Sequence, residues 1–303
     1  MNRFIWLIRR EMWENKAIWI APAVVIACLF VLLIIGRVHI GDFDGSASLA
    51  GIPQDYRIKL HQFAYASVAA VLFWVMGVIC FFYAIDSLYA DRRDRSVLFW
   101  KSLPISDAET VLSKFAVAAA VIPVVAMLGA VLAQFVVGGG LMAKLAVSGA
   151  SAGLWWHPDA ISGGVVIALI WCVTAILWYA PLVAYLMLAS AWAPRGPFLW
   201  AVLPPVAAAV LERVVMRSDV IGDFIFERLL GMYFHLGAFG QRGDTSTEGE
   251  AGLRALAEKL ADVDLMGRMR EFYSSPDLWL GVVAAGLLLA AAMWVRRYRD
   301  ETS

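Results

Sequence analysis

A dense run of charged side chains separates two apolar stretches between Asp86 and Lys114. Its ionisable residues are Asp86, Asp91, Arg92, Arg93, Asp94, Arg95, Lys101, Asp107, Glu109 and Lys114. Charges at this density cannot lie in hydrocarbon, so we expect residues 86–114, the charged segment, in water between two membrane spans. The basic side chains of this segment surround two apolar residues, Leu98 and Leu103, and this combination is suited to docking a water-soluble partner.

The charged segment also carries signals of local folding. Ser106 followed by Glu109 forms a capping-box pattern, which predicts a helix that begins at Asp107 and continues into the next span. Pro104 should end any helix that precedes this cap. The sequence therefore predicts a helix, a sharp break and a second helix. The alternative is a solvated loop whose basic residues only follow the charge bias of membrane proteins.

Motifs for catalysis inside this chain are weak. The Gly-Lys dipeptide does not occur, so a Walker A phosphate loop is excluded, and Gly138–Gly140 is expected to form a flexible outer turn. Residues Ser148–Ser151 have no histidine spaced to act as a base, which argues against an intramembrane serine enzyme. A metal site would require folding to bring together four histidines from separate outer segments: His39, His61, His157 and His235.

Composition places the chain among membrane proteins. Hydrophobic residues make up 61% of the 303 residues and the mean hydropathy is +0.72, whereas soluble domains are roughly 45–50% apolar. Six apolar stretches approach or exceed the roughly 20 residues of a span. They are Ala17–Gly36, Gln62–Ile85, Phe115–Val137, Gly164–Ser190, Phe198–Leu211 and Leu278–Val295. The fifth is short, and Val214–Met216 are expected to extend it past Glu212 and Arg213.

The distribution of lysine and arginine predicts the orientation. With the N-terminus inside, the inner segments hold 13 of these residues and the short outer loops hold 4. Both termini are therefore expected in the cytoplasm of a cell with a bacterial-type inner membrane. The net charge is zero, which gives no electrostatic argument for a nucleic-acid partner.

Two further segments flank the spans. Residues 1–16 are expected to form an amphipathic interfacial helix, with Phe4, Ile5, Ile8 and Met12 on its apolar face and Glu11 away from it. Residues 212–277 are expected to form a helical segment on the outer face. It would hold one helix over Val220–Phe239 and a second that carries Leu253, Leu256, Leu260 and Val263 at regular spacing.

The spans contain few ionisable groups, which argues against an ion-coupled carrier. Their most marked feature is the proline pair Pro204–Pro205 in the fifth span, close to Glu212 at its outer end. Proline frees a backbone carbonyl and kinks a helix, so these residues are candidates for a gate on an outward path. The alternatives are a static kink and a local pair of Glu212 with Arg213 or another charge.

The strongest pattern lies in the charged segment itself. It contains Asp91-Arg92-Arg93-Asp94-Arg95-Ser96, then Leu98, then Lys101-Ser102-Leu103-Pro104-Ile105-Ser106, and finally Lys114. Together with the N-terminal helix, the six spans and the long outer segment, this pattern resembles the permease subunit of a type-2 ATP-binding-cassette (ABC) exporter over nearly the whole chain. The resemblance implies an all-α integral membrane protein with one permease domain over residues 1–303.

The same resemblance implies that the charged segment is the coupling helix that docks into an ATPase. The residues expected to couple are Arg92, Arg93, Asp94, Arg95, Leu98, Lys101, Leu103, Pro104, Ser106 and Glu109. The implied partners are an ABC ATPase subunit, a second permease protomer (identical or paralogous) and the lipid bilayer. No cofactor would bind this chain directly, because ATP and Mg would bind the partner.

Two functions follow as hypotheses. In the first, the complex moves a hydrophobic or amphipathic substrate outward, and this chain itself is not an enzyme. In the second, the chain is a mechanotransmission or assembly subunit that couples ATP hydrolysis to an event at the outer face without carrying a substrate.

Overall fold

The computed structural model describes residues 3–35, 53–94, 106–147, 157–235 and 265–299, and every regular element in these ranges is helical. The helices are α1 Arg3–Glu14, α2 Ala17–Ile35, α3 Gln54–Arg93, α4 Asp107–Ala116, α5 Ile122–Val147, α6 Pro158–Trp178, α7 Ala180–Trp192, α8 Pro197–Leu211, α9 Val220–His235, α10 Leu265–Ser274 and α11 Pro276–Arg299. Six candidate membrane spans are present, which confirms the predicted all-α integral membrane fold.

Helix α3 is much longer than a membrane crossing requires. The predicted span Gln62–Ile85 lies inside a helix of 40 residues, which at 1.5 Å per residue extends well beyond a hydrocarbon core of about 30 Å. Its C-terminal part therefore forms the first helix of the charged segment. The second helix is α4, which begins at Asp107 as predicted. The break between them, residues 95–105, lies outside the described residues.

The third span contains a local irregularity that proline explains. Between α4 and α5, residues Val117–Val121 form a π-helical turn. In that geometry the carbonyl of Ala118 would accept from the amide of residue 123, which is proline and has no N–H. The thiol of Cys80 on α3 donates to this freed carbonyl instead, at 3.2 Å. Pro123 thus frees a backbone carbonyl in the third span, and a side chain of the neighbouring span satisfies it.

The glycine triplet Gly138–Gly140 was expected in a flexible turn, and that prediction is wrong because the triplet is helical within α5. Close packing against α2 gives the physical reason. A Cβ atom at Gly140 would lie 2.8 Å from a ring carbon of Phe30 and 3.1 Å from a methyl group of Leu33, whereas one at Gly139 would meet nothing within 4 Å. Small residues allow two membrane helices to approach at this point.

The fourth span is not the single helix predicted over Gly164–Ser190. It breaks at Tyr179 into α6 and the shorter α7. Pro181 lies in the first turn of α7, where it cannot donate to the preceding turn and its ring excludes a straight continuation. The two helices still contribute to one core, in which the fully buried side chains include Trp171 and Met187.

The fifth span runs through α8 and a π-helical turn, Glu212–Met216, so the predicted extension past Glu212 and Arg213 is confirmed. Helix α9 follows after Arg217, which adopts a left-handed conformation (φ 53°). It is described over Val220–His235, and the rest of the predicted range, up to Phe239, lies outside the described residues. The predicted helix around Leu253–Val263 lies outside the described residues.

Candidate functional site: a buried ion cluster beside the charged segment

Four ionised side chains are buried together where α1, α3, α4 and α11 meet, and none is more than 5% exposed: Glu11, Asp91, Lys114 and Arg296. We call these four residues the ion cluster. The Nζ of Lys114 lies 2.9 Å from Oε1 of Glu11 and 3.4 Å from Oδ1 of Asp91. The second carboxylate oxygen of Asp91 lies 3.0 Å from Nη1 of Arg296. Each of the four helices thus contributes one charge to a continuous chain of contacts.

Two neighbours complete the hydrogen bonding of this cluster. The hydroxyl of Tyr83 on α3 donates to Oε2 of Glu11 at 2.9 Å. The Nε of Arg296 lies 3.3 Å from Oδ1 of Asp107, the first residue of α4, whose side chain is one-third exposed. Buried charges are tolerated only when they are paired and hydrogen-bonded, and this arrangement meets both conditions.

The amphipathic pattern of α1 did not predict that Glu11 is buried. Glu11 was placed away from the apolar face that carries Ile5; it is 3% exposed and faces the protein, whereas Ile5 is 60% exposed. The ion pair with Lys114 explains the difference, since it allows a carboxylate to face the protein while Ile5, Trp6 and Trp13 point outward. An outward apolar face suits a helix that lies in a membrane interface.

Lys114 was expected at this point of the charged segment, and its partners on α1 and α11 were not. Neither Glu11 nor Arg296 was predicted to pair with a residue of the charged segment. A signal was available, because both lie next to a span, where an unpaired charge is costly. Their separation of 285 positions left no local pattern to connect them.

Arg92 was expected to be a cationic arm for a partner, but its guanidinium turns inward. It donates to the backbone carbonyls of Ser190 and Ala193 at the end of α7. The hydroxyl oxygen of Ser190 in turn accepts from the amides of Leu88 and Tyr89, at 3.1 and 3.0 Å. These contacts hold the end of α3 against the end of α7. The other residues that were expected to dock follow Arg92 in the sequence.

The remaining described residues of the predicted docking set lie at the surface. Arg93 is about half exposed and contacts Asp94 at 3.0 Å and Asp86 at 3.7 Å. The predicted capping box is confirmed, since the hydroxyl of Ser106 accepts from the amide of Glu109 and the Glu109 carboxylate accepts from the amide of Ser106. The others, Arg95, Leu98, Lys101, Leu103 and Pro104, lie outside the described residues.

The gate candidates of the fifth span differ from one another. Glu212 caps the start of α9: its carboxylate accepts from the hydroxyl of Ser218 at 2.7 Å and from the amides of Val220 and Ile221 at 3.0 and 2.7 Å. The expected pair with Arg213 is not the contact that forms, because Arg213 lies 3.4 Å from Asp219. Pro204 and Pro205 both lie inside α8, with Pro204 exposed.

The described part of the outer segment does not only cap the bundle, because α9 and α10 contact the fourth span directly. The indole of Trp178 and the hydroxyl of Tyr179 donate to the carbonyls of Arg228 and Leu229, at 3.1 and 2.9 Å. The Arg228 guanidinium lies 4.3 Å from the centre of the Trp178 ring, and burial lowers its pKa while the nearby Asp277 raises it. From α10, the hydroxyl of Tyr273 lies 2.8 Å from that of Thr174.

The histidines do not form a metal site in the part of the chain that is described. His157 contacts the amide nitrogen of Gln54 at 2.6 Å, and His61 is buried nearby. No group of three or more histidine, cysteine, aspartate or glutamate side chains in the described ranges could hold a metal ion. His39 and Ser148–Ser151 lie outside those ranges.

Comparison with known proteins agrees with the fold and with the position of the charged segment. Residues 61–179 match the family model described as ABC-2 family transporter protein. The matched region begins within α3, includes the whole charged segment and ends at the break after α6. No curated protein and no solved structure gives a significant match. The matched region covers 119 of the 303 residues, and together with the six apolar helices it supports a transmembrane, permease-type component that is similar to this family.

Proposed function

We propose that this chain is the transmembrane subunit of an ATP-driven exporter that moves a hydrophobic or amphipathic substrate outward. A separate ABC ATPase subunit, with its own ATP and Mg, docks on the charged segment and supplies the energy. This chain has no nucleotide-binding motif and acts without catalysing a reaction itself. The observation that carries the proposal is the ion cluster, in which Asp91 and Lys114 of the charged segment pair with Arg296 of α11 and Glu11 of α1.

The position of the cluster suits the transmission of force. Lys114 lies two helical turns after the Ser106 cap, on the helix that continues directly into the third span. A displacement of residues 95–105 would therefore act on α1, α3 and α11 through Lys114 and its neighbours. Breaking one partner of a buried ion pair costs about 3–5 kcal/mol, so the four helices should move together and not separately.

Docking is best tested with a candidate ABC ATPase that is encoded beside this chain and co-expressed with it. Leu103→Asp should reduce recovery of the ATPase in a pull-down at least about tenfold, since losing a buried apolar anchor costs about 2 kcal/mol or more. Arg297→Asp is a matched control, because it adds a carboxylate at the exposed end of α11 outside the charged segment. If the Leu103→Asp protein inserts normally and retains the ATPase and its ATP turnover, the docking proposal fails.

The proposed orientation places the ion cluster and both termini in the cytoplasm of a bacterial-type inner membrane. The supporting observation is the excess of lysine and arginine on that side of the spans. An impermeant thiol reagent applied to intact cells should label Ser246→Cys in the outer segment and leave Ser303→Cys unlabelled. Labelling of the C-terminal variant from outside would contradict this orientation.

A second permease protomer, identical or paralogous, is part of the same proposal. The fifth span supports it, since only 11% of its apolar window is buried within one chain. Exposed side chains such as Leu203, Val206 and Val210 give α8 a face that lipid or another protomer can cover. Disulfide formation between copies carrying Val206→Cys would support the protomer contact.

Direct contact between the outer segment and the fourth span favours a second candidate function, mechanotransmission without transport. The bonds from Trp178 and Tyr179 to α9 lie at the break between α6 and α7, so movement there would reach the outer segment. Reconstituted vesicles separate the two functions. ATP-dependent accumulation of a lipophilic dye supports export, whereas ATP turnover with no movement of any tested amphiphile supports mechanotransmission.

A further inference from the structure

A cavity of about 460 Å³ lies within a single chain, at the level of the π-helical turn of the third span. Its wall is formed by α3, that turn, the start of α5, the two helices on either side of Tyr179, and α9. Representative wall residues are Phe73, Met76, Ala119, Val183 and Met232. This volume is in the range of pockets that hold small molecules.

The chemistry of the wall determines what can enter. Among the described residues, no charged side chain lines the cavity. The polar groups of Cys80 and Tyr179 are already used, because they donate to the carbonyls of Ala118 and Leu229. A ligand headgroup would therefore lose its hydration without gaining a charged partner, which is costly, so only an apolar portion of a ligand is expected to bind here.

The mouth of the cavity lies on the lipid-facing side of α3. Trp74, Val78 and Phe82 occupy one helical face at intervals of four residues and are 57%, 40% and 56% exposed. Gly77 lies beside them, and a Cβ atom there would meet nothing within 4 Å. All four residues belong to a membrane span, so the medium outside the mouth is the hydrocarbon of the bilayer.

From these observations we infer that each protomer holds one acyl chain of a membrane phospholipid in this cavity, with the headgroup left outside. Small, buried side chains of the third span line the cavity, including Ala119 and Ala126. The acyl chain would lie against them. The inference concerns binding by a single chain and does not depend on whether lipid or any other substrate is exported.

A photoreactive lipid provides the test. The purified chain is placed in nanodiscs of palmitoyl-oleoyl-phosphatidylglycerol that contain a trace of the same lipid with a diazirine near the end of one acyl chain. Illumination should label buried wall residues such as Met76 and Met232, which are 1% and 0% exposed. Leu287 on α11 is 69% exposed to the surrounding medium, and its labelling provides an internal reference for ordinary lipid contact.

Gly77→Leu should lower the ratio of wall labelling to Leu287 labelling by about tenfold, since it excludes about two methylene groups of the acyl chain. Gly139→Leu is the matched control, because Gly139 lies in the third span, outside the cavity wall and far from Leu287 in the sequence, and also has open space around its Cβ position. The control should leave the ratio unchanged. Both variants should unfold at or slightly above the temperature of the parent, since neither new Cβ atom meets a neighbour and leucine has a higher helix propensity than glycine.

Two results would overturn the inference. One is wall labelling that is absent from the parent chain or insensitive to Gly77→Leu. The other is efficient disulfide formation between copies carrying Gly77→Cys without wall labelling in the parent, which would show that a second protomer covers the mouth. Because this experiment requires no ATPase, it can fail while the exporter proposal stands, and the reverse also holds.

Discussion

Replacing Lys114 should lower the stability of the protein more than replacing another residue of the ion cluster, because Lys114 contacts two buried carboxylates. Lys114→Met keeps the length and apolar stem of the side chain and removes only the charge. Glu11 then has no cation in contact, although the hydroxyl of Tyr83 still donates to it. Asp91 retains Arg296 at 3.0 Å.

The expected loss follows from this geometry. Removing one partner of a buried ion pair costs about 3–5 kcal/mol, and the contacts that remain place this variant near 3 kcal/mol. For a chain of this size each kcal/mol corresponds to about 2 °C, so the unfolding midpoint should fall by about 6 °C. Adding Glu11→Gln should recover part of the loss, with a coupling energy of about 2 kcal/mol between the two sites.

The cysteines of the chain provide the assay. Cys28 is exposed, whereas Cys172 is buried, so a thiol-reactive dye in a Cys28→Ala background reports unfolding as Cys172 becomes accessible. Arg93→Met is the matched control, since it removes a cation that pairs with two carboxylates at the surface and should not shift the midpoint. A Lys114→Met midpoint no lower than that of the control, or strict additivity with Glu11→Gln, would refute the proposed role of the cluster.

Three further features can be tested by substitution, with the same dye or with a transport assay. Gly140→Ala should destabilise the protein by about 1–3 kcal/mol through its contact with α2, whereas Gly139→Ala should stabilise it by up to about 1 kcal/mol. Gln134→Leu should raise the midpoint, because both amide atoms of this buried residue lack a hydrogen-bond partner in the described structure. Replacing Pro204 and Pro205 together with alanine should lower transport and preserve assembly if the pair forms a gate, and unchanged transport would indicate a static kink.

Secondary structure was predicted correctly from the sequence where residues close to one another in the chain determine it. The Ser106–Glu109 cap acts over three residues, so its geometry and the start of α4 could be predicted from the sequence. The glycine triplet was wrongly assigned to a turn, because its environment depends on Phe30 and Leu33, more than 100 positions away. The break at Tyr179 had a visible cause in Pro181, but proline kinks some membrane helices and ends others, depending on the neighbours that satisfy the freed groups.

The candidate site was predicted only in part, for a related reason. The charged segment is evident from its composition, but composition does not distinguish a cation that faces a partner from one that faces the protein. Arg92 and Arg93 are adjacent and identical in type, yet Arg92 donates to carbonyls of α7 while Arg93 remains at the surface. The carbonyl groups at the end of α7 determine which of the two arginines turns inward. Their position cannot be predicted from the sequence around Arg92 and Arg93.

The polarity of α1 connects these observations to the proposed mechanism. In a water-soluble protein a helix buries its apolar side, but α1 buries Glu11 and exposes Ile5, Trp6 and Trp13. Such a helix can lie in the membrane interface while its buried carboxylate, Glu11, forms an ion pair with Lys114. Leu7 is buried and Ile8 packs against the core, while other apolar residues of α1 point outward, so the register of α1 depends on that ion pair as well as on this narrow apolar contact. A helix attached in this way should follow the charged segment when a docked partner moves it, which a helix packed through a broad apolar face would do less readily.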